Sequence, residues 1–215
     1  DWRVSRCLII VVGAHPGHKY TEFTLCTVTV TLTFLSPPTH AHSLHIQISN
    51  YASTISPQTD AASKGYTQVM WLFGPDAEVT EVGTMNVFFV WTTREGKRQL
   101  VTAPLDGTIL PGVTRSSALE LARGWGDLEV VERVFTMGEV TEAIDEGRML
   151  EAFGTGTAAV LSPIASVHFE GRDLNIPLDA EDPDALAGPV AQRMWDEITS
   201  IQYGKKESDW SVIVE

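Results

Sequence analysis

Cysteine is nearly absent: Cys7 and Cys26 are the only two in 215 residues. Two are too few for a disulfide framework, so a reducing compartment is the default expectation. Long apolar runs are missing as well. The longest candidate, residues 23–35 (FTLCTVTVTLTFL), carries five threonines and falls short of the about 18 residues a membrane helix needs. Positive charge is scarce, at 15 Lys and Arg against 28 Asp and Glu, a formal net charge of −13. A chain this acidic lacks the basic footprint that nucleic acid or an anionic membrane surface requires. There is no initiator methionine and no signal peptide pattern, so the chain reads as a fragment or an incomplete gene model. What remains is ordinary globular material. Hydrophobic residues make up 43% and the mean hydropathy is +0.01, enough for one sizeable core.

The acidity is unevenly placed. Residues 1–48 hold two acids and three bases, a net of +1, whereas residues 49–215 carry −14. The first segment also holds five of the six histidines, both cysteines and seven threonines. A boundary is therefore expected near Ser49. Within the first segment, residues 7–12 (CLIIVV) and 23–35 are read as strands, the second ended by Ser36-Pro37-Pro38. His40, His42 and His45 cluster, but no acid or cysteine accompanies them and the spacing matches no familiar zinc pattern, so a metal site is not expected.

From Ser49 onward the pattern predicts a mixed α/β domain. Helices are expected over 57–63, 114–125, 137–145 and 183–201, the last kinked at Gly188-Pro189. Strands are expected over 67–73, 79–91 with a bulge at Gly83, 99–102, 128–134, 149–160 with a glycine interruption, a hairpin over 164–176, and 210–214.

Three features bear on chemistry. Glu81 sits in an apolar strand (VTEVGTMNVFF), facing either solvent or a buried cationic partner. Leu110-Pro111-Gly112-Val113-Thr114 is a glycine loop entering a helix. It is either a helix start capped by Thr114 or an anion site built from free N–H groups. Gly154-Thr155-Gly156-Thr157 is either a plain turn or a place where backbone approaches a ligand closely. Two anion-friendly loops and one odd carboxylate suit a ligand with a phosphate at one end and a protonated ring nitrogen at the other. Pyridoxal phosphate meets that description, though spacing alone does not single it out.

Longer strings carry more information. EVGTMN at 81–86, LDG with LPGVTR across 105–115, FGTGTA at 153–158 and IQYGKKESDW at 201–210 stand in order. In these strings the chain resembles the branched-chain amino acid aminotransferases of eukaryotic type, over about residues 49–215. The resemblance implies the large, pseudo-barrel-like, cofactor-binding domain of that class IV fold, with the small N-terminal domain missing. It also implies pyridoxal phosphate as cofactor, a homodimer, and transamination of leucine, isoleucine and valine with 2-oxoglutarate, in either mitochondrion or cytoplasm. By the same resemblance Glu81 pairs with the pyridine nitrogen and Tyr51 bonds the phenolic oxygen. Val113 and Thr114 hold the phosphate, and Thr157 adds a second phosphate contact. The Thr157 and Ala158 N–H groups receive the substrate carboxylate, and Thr84 lies close to the cofactor.

The departures are as specific. A family lysine stands five residues before the tyrosine and forms the Schiff base; here Ile46 occupies that position, and isoleucine is neither an amine nor a base. Lys64, the nearest lysine after Tyr51, is read as a solvated surface residue. The phosphate arginine and the small-domain pocket aromatics are absent. Ala159 and Ser162 stand where some animal members carry a redox C-x-x-C. Residues 1–48 are accordingly read as a mis-joined or intron-derived segment. Two readings follow: an aminotransferase with a disrupted front, or a non-catalytic remnant of the fold. Related D-amino acid transaminases and aminodeoxychorismate lyases share the fold, but EVGTMN and ESDW favour the branched-chain group.

Overall fold

The structure, a computed structural model, describes residues 10–13, 54–179 and 185–211. In chain order it contains strand β1 (Ile10–Gly13), helix α1 (54–63), β2 (Gln68–Phe73), β3 (Glu78–Val82), β4 (Met85–Thr92) and β5 (Arg98–Thr102). Then follow α2 (Val113–Trp125), β6 (Glu129–Glu132), α3 (Met137–Asp145), β7 (Met149–Gly156), β8 (Val160–Pro163), β9 (Ser166–Phe169), β10 (Arg172–Asn175) and α4 (Pro189–Gln202). The mixed α/β class is as the sequence implies.

The strands form one branched sheet in the order β10-β9-β1-β2-β3-β4-β5-β6, with β7 pairing β4 and β8. All pairings are antiparallel except β5 with β6. The branch point is β4, whose residues 88–91 pair with β5 along one edge and with β7 along the other. Its sequence (MNVFFVWT) is apolar at successive positions because both faces are covered, the pattern of a doubly buried strand. Val87, Phe89 and Trp91 enter one core with Phe135, Met137, Val140 and Ala152. Phe88 and Val90 enter a second core with Leu119, Ala122, Phe153, Met194 and Ile198. Thus α3 covers one face, while α2 and α4 cover the other.

Several local expectations are corrected. The apolar run 79–91 is two strands, not one bulged strand. Gly83 and Thr84 form a two-residue turn that sets Val82 opposite Met85 and Glu81 opposite Asn86. Gly83 has φ +57, which a two-residue hairpin of primed type demands and glycine adopts without strain. Gly188-Pro189 does not kink α4 but starts it, with Gly188 as N-cap and Pro189 in the first turn, the position where a missing N–H costs nothing. Helix α1 extends back to at least residue 54. Strand β6 is shorter than expected, and Trp210 lies in a turn rather than a strand. Helix α2 ends at Gly126, with φ +74, as its sequence implies. Helix α3 is fixed by a Thr136–Glu139 capping box. The strand expected over 23–35 and the 40–45 histidine cluster lie outside the described residues, as do residues 212–214 of the last expected strand. No described helix is long and apolar enough to cross a membrane.

Candidate functional site

The β3–β4 hairpin determines the site. Because the turn is two residues long, Glu81 and Asn86 stand directly opposite each other. Asn86 in turn pairs with Thr155 of β7. Three polar side-chain positions therefore lie in a row across three neighbouring strands, at the sheet end where α2 begins. Gly83-Thr84 and the exposed turn 157–159 close the same end; a Cβ on Gly156 would lie 3.9 Å from the Thr84 carbonyl.

Glu81 has no salt-bridge partner among the described residues. It is half-buried, and its Oε1 accepts from the Leu110 N–H at 3.0 Å and from Asn86 Nδ2 at 3.1 Å. Oε2 takes no hydrogen bond from any described residue. Burial pushes the carboxyl above its ordinary value, and the Leu110 N–H partly offsets this. Asn86, 4% exposed, also donates to the Leu110 carbonyl at 2.8 Å.

The loop between β5 and α2 is held by Ile109, which is buried, and by an Asp106 carboxylate that accepts from the Thr108 N–H and hydroxyl. It delivers Gly112 as the N-cap of α2, with no side-chain capping bond and no acid in the first turn. The alternative of a start capped by Thr114 is thereby overturned: Thr114 lies inside the helix and is buried. Val113 is 75% exposed. An uncapped helix N-terminus presents N–H groups and positive dipole to an anion. Arg115, 3% exposed, reinforces this turn from below. Its Nη2 donates to the Ala103 carbonyl at 2.8 Å and to Glu132 at 2.6 Å, and Arg123 reaches the same carboxylate. Burial alone would raise the Glu132 carboxyl, but hydrogen bonds and charge from Arg115 and Arg123 hold it below the usual carboxylate value.

The glycines of FGTGTA serve packing as well as approach. A Cβ on Gly154 would meet Val82 Cγ1 at 2.9 Å and Met85 Cε at 3.0 Å, and one on Gly156 would meet Met85 Cγ at 3.0 Å. Met85 thus fills the space the glycines leave. Thr155, 1% exposed, has a hydroxyl with no partner among the described residues, and so does the buried Nε of Arg115, two unmet demands at the site.

Of the residues singled out by sequence, Glu81, Thr84, Val113, Thr114, Thr157 and Ala158 lie on the loops and strand ends just described. Tyr51 and Ile46 lie outside the described residues. Sequence reasoning does not single out Asn86 or Arg115, and it names Thr155 only as part of the 154–157 glycine segment. A signal exists for Asn86: reading Gly83-Thr84 as a turn sets it opposite Glu81.

The profile of the family described as amino-transferase class IV matches residues 5–167. The chain belongs to the class IV aminotransferases. Within this family it is 53% identical over 168 residues to a branched-chain-amino-acid aminotransferase of Dictyostelium discoideum, covering 78% of this chain and 43% of that protein. It is 51% identical over 170 residues to the cytosolic branched-chain-amino-acid aminotransferase of Saccharomyces cerevisiae, covering 77% and 44%. Similar proteins of mitochondrial name also match. Among solved structures, a branched-chain amino acid aminotransferase from Thermobaculum terrenum in its PLP form superposes with a TM-score of 0.57 at 30% identity, covering 74% of this chain and 45% of that one. This class IV chain therefore spans under half the length of the relatives it matches. No described helix, strand or loop gathers three His, Cys, Asp or Glu side chains that could hold a metal.

Proposed function

We propose that this chain carries the cofactor-binding part of a branched-chain amino acid aminotransferase, with pyridoxal phosphate as the ligand of the site. One observation carries the reading: a half-buried acid, Glu81, is tied to the loop that opens an uncapped helix N-terminus. Such a pair suits a ligand with a protonated ring nitrogen and a phosphate. The buried Thr155 hydroxyl, unpartnered among the described residues, fits a polar ligand at this site. Pyridoxal phosphate, when bound, supplies an electron-withdrawing ring for moving an amino group between an amino acid and a 2-oxo acid. Glu81 would hold the proton of the ring nitrogen at Oε2. The Val113 and Thr114 N–H groups would bind phosphate, with Thr157 adding a contact. The Thr157 and Ala158 N–H groups would receive the substrate carboxylate, Thr84 would flank the ring, and Tyr51 would bond its phenolic oxygen.

The amine is the part that the described residues do not supply. The described lysines, Lys64, Lys97, Lys205 and Lys206, are all exposed; Lys64 is paired with Asp60 and Lys206 with Glu197. The resemblance sets Ile46 at the lysine position. This favours the second reading for the polypeptide itself, a cofactor-binding chain without turnover. Strand β1 pairs with β2 and β9 and the family match runs through residues 5–167, which weighs against reading all of residues 1–48 as foreign to the fold. The implied homodimer belongs to the proposal, and Leu105, Leu110 and Val113 are exposed apolar residues beside the site that such an interface would cover.

The test is to add pyridoxal phosphate to the purified chain, measure melting temperature and transamination of leucine with 2-oxoglutarate, then reduce with borohydride and map adducts by peptide mass. Binding raises stability by about 2.7 kcal/mol at a hundredfold excess over Kd. The expected result is a raised melting temperature, no stoichiometric adduct and no turnover. A single adduct with turnover would restore the enzyme reading for this chain; no thermal shift would end the cofactor reading.

A further inference from the structure

Three hydrogen bonds around Glu81 form a closed triangle. Glu81 Oε1 accepts from Leu110 N at 3.0 Å and from Asn86 Nδ2 at 3.1 Å, and the same Nδ2 donates to Leu110 O at 2.8 Å. The orientation of the amide is fixed by chemistry: both neighbours are acceptors, so the nitrogen must face them. The other amide atom, Oδ1, presses on Gly112, where an added Cβ would lie only 2.2 Å away. Gly112 is the N-cap of α2. A single buried side chain therefore bonds the acid and, 24 residues on in sequence, the Leu110 carbonyl of the loop that leads into the helix start. No bond of this triangle is needed for the sheet ladder, and a leucine-sized apolar residue would suit the strand pattern of β4 equally well. A buried amide there has to be explained by what it holds.

We propose that Asn86 is a positioning residue, locking Glu81 and the 110–112 loop into one unit that fixes the separation of ring-nitrogen and phosphate ends of a single ligand. The identity of that ligand rests on the pyridoxal phosphate reading. The role of Asn86 does not touch the reacting atoms; it acts through Glu81 and through the N–H groups of α2. With both donors on Oε1, the remaining oxygen is left to the ligand.

The experiment uses the full chain and two variants, Asn86→Leu and Asn86→Asp. In ligand-free protein, the Glu81 carboxyl is titrated by 13C NMR. Loss of a donor to the ionised form raises the midpoint by about one pH unit in the Leu variant. The Asp variant keeps the shape, loses the donor when ionised and adds a like charge, so its midpoint moves the same way; it decides the matter should the Asn86→Leu chain fail to fold. Pyridoxal phosphate affinity, read by fluorescence, falls about tenfold in both, in line with the loss of one bond to a charged group. An unshifted Glu81 titration in a folded variant would overturn the assignment, even with weaker binding, because Asn86 would then be a packing residue alone. Failure of the unmutated chain to bind pyridoxal phosphate would sink the cofactor reading instead, and the titration would still decide for or against Asn86.

Discussion

Burial disfavours the ionised form of Glu81, yet the ionised form is the one that would face a protonated ring nitrogen. The two demands oppose each other, and Glu81→Gln separates them. Glutamine keeps an oxygen to accept from Leu110 N and Asn86 Nδ2, but carries no charge. In the folded chain the Glu81 carboxyl titrates above its ordinary value of 4.5. Its contribution to stability is thus fully present below the unfolded value and lost as pH rises through the folded one. At neutral pH the Gln variant should therefore melt higher than the parent chain, with the gap closing as pH falls towards 4.5. Its affinity for pyridoxal phosphate should fall about ten- to a hundredfold, the scale of a lost charge-assisted bond. Calorimetry across pH, with a binding titration at neutral pH, checks both. A variant less stable than the parent at neutral pH would show that the carboxylate is stabilised in the free site after all.

Among the elements, α4 depends on a side chain far from it in sequence. Gly188 offers no side-chain cap, and the Glu151 carboxylate of β7 accepts instead from the Val190 N–H at 2.8 Å and the Ala191 N–H at 2.9 Å. Glu151 is 2% exposed, and burial holds its carboxyl above the ordinary value despite those two bonds. Gly188 permits the approach: a Cβ there would meet Glu151 Oε2 at 2.3 Å. Glu151→Ala should cost about 2–4 kcal/mol, because it strands two buried donors; a urea midpoint shift equivalent to less than about 1 kcal/mol would refute this capping role. This bond spans 39 residues, which explains why periodicity does not foresee it. The helices α2 and α3 are legible nearly to the residue, since spacing, a glycine stop and a capping box are local signals. The β3–β4 hairpin is not: its turn, Gly83-Thr84, lacks the Asn-Gly or Asp-Gly dipeptide that marks such turns, and the apolar run continues through it. With that turn unread, Glu81 is visible as an odd carboxylate while Asn86, its partner across the ladder, is not. The start of α4 reads as a kink because a proline fits both.

For the whole molecule, the branched sheet means that no single layer can be removed without disturbing the other. The two cores lie back to back across β4 and β7. Strand β4 contributes Val87, Phe89 and Trp91 to one and Phe88 and Val90 to the other, and β7 divides Ala152 and Phe153 between them in the same way. Residues 88–91 of β4 are also paired along both edges, whereas β6 and β10 each have one neighbour among the described strands. That difference is a statement about time. The backbone amides of Phe88 through Trp91 can meet deuterium only when both cores and both edge pairings open together, so they should exchange last and with the free energy of global unfolding. The amides of β6 and β10 need only local fraying and should be lost orders of magnitude earlier. Native-state exchange in rising denaturant would show the two classes converging as global unfolding becomes the easier route. Early exchange of the β4 amides would mean that the two cores come apart independently. If they exchange last, the strand leading out of the Glu81–Asn86 hairpin is the slowest clock in the protein.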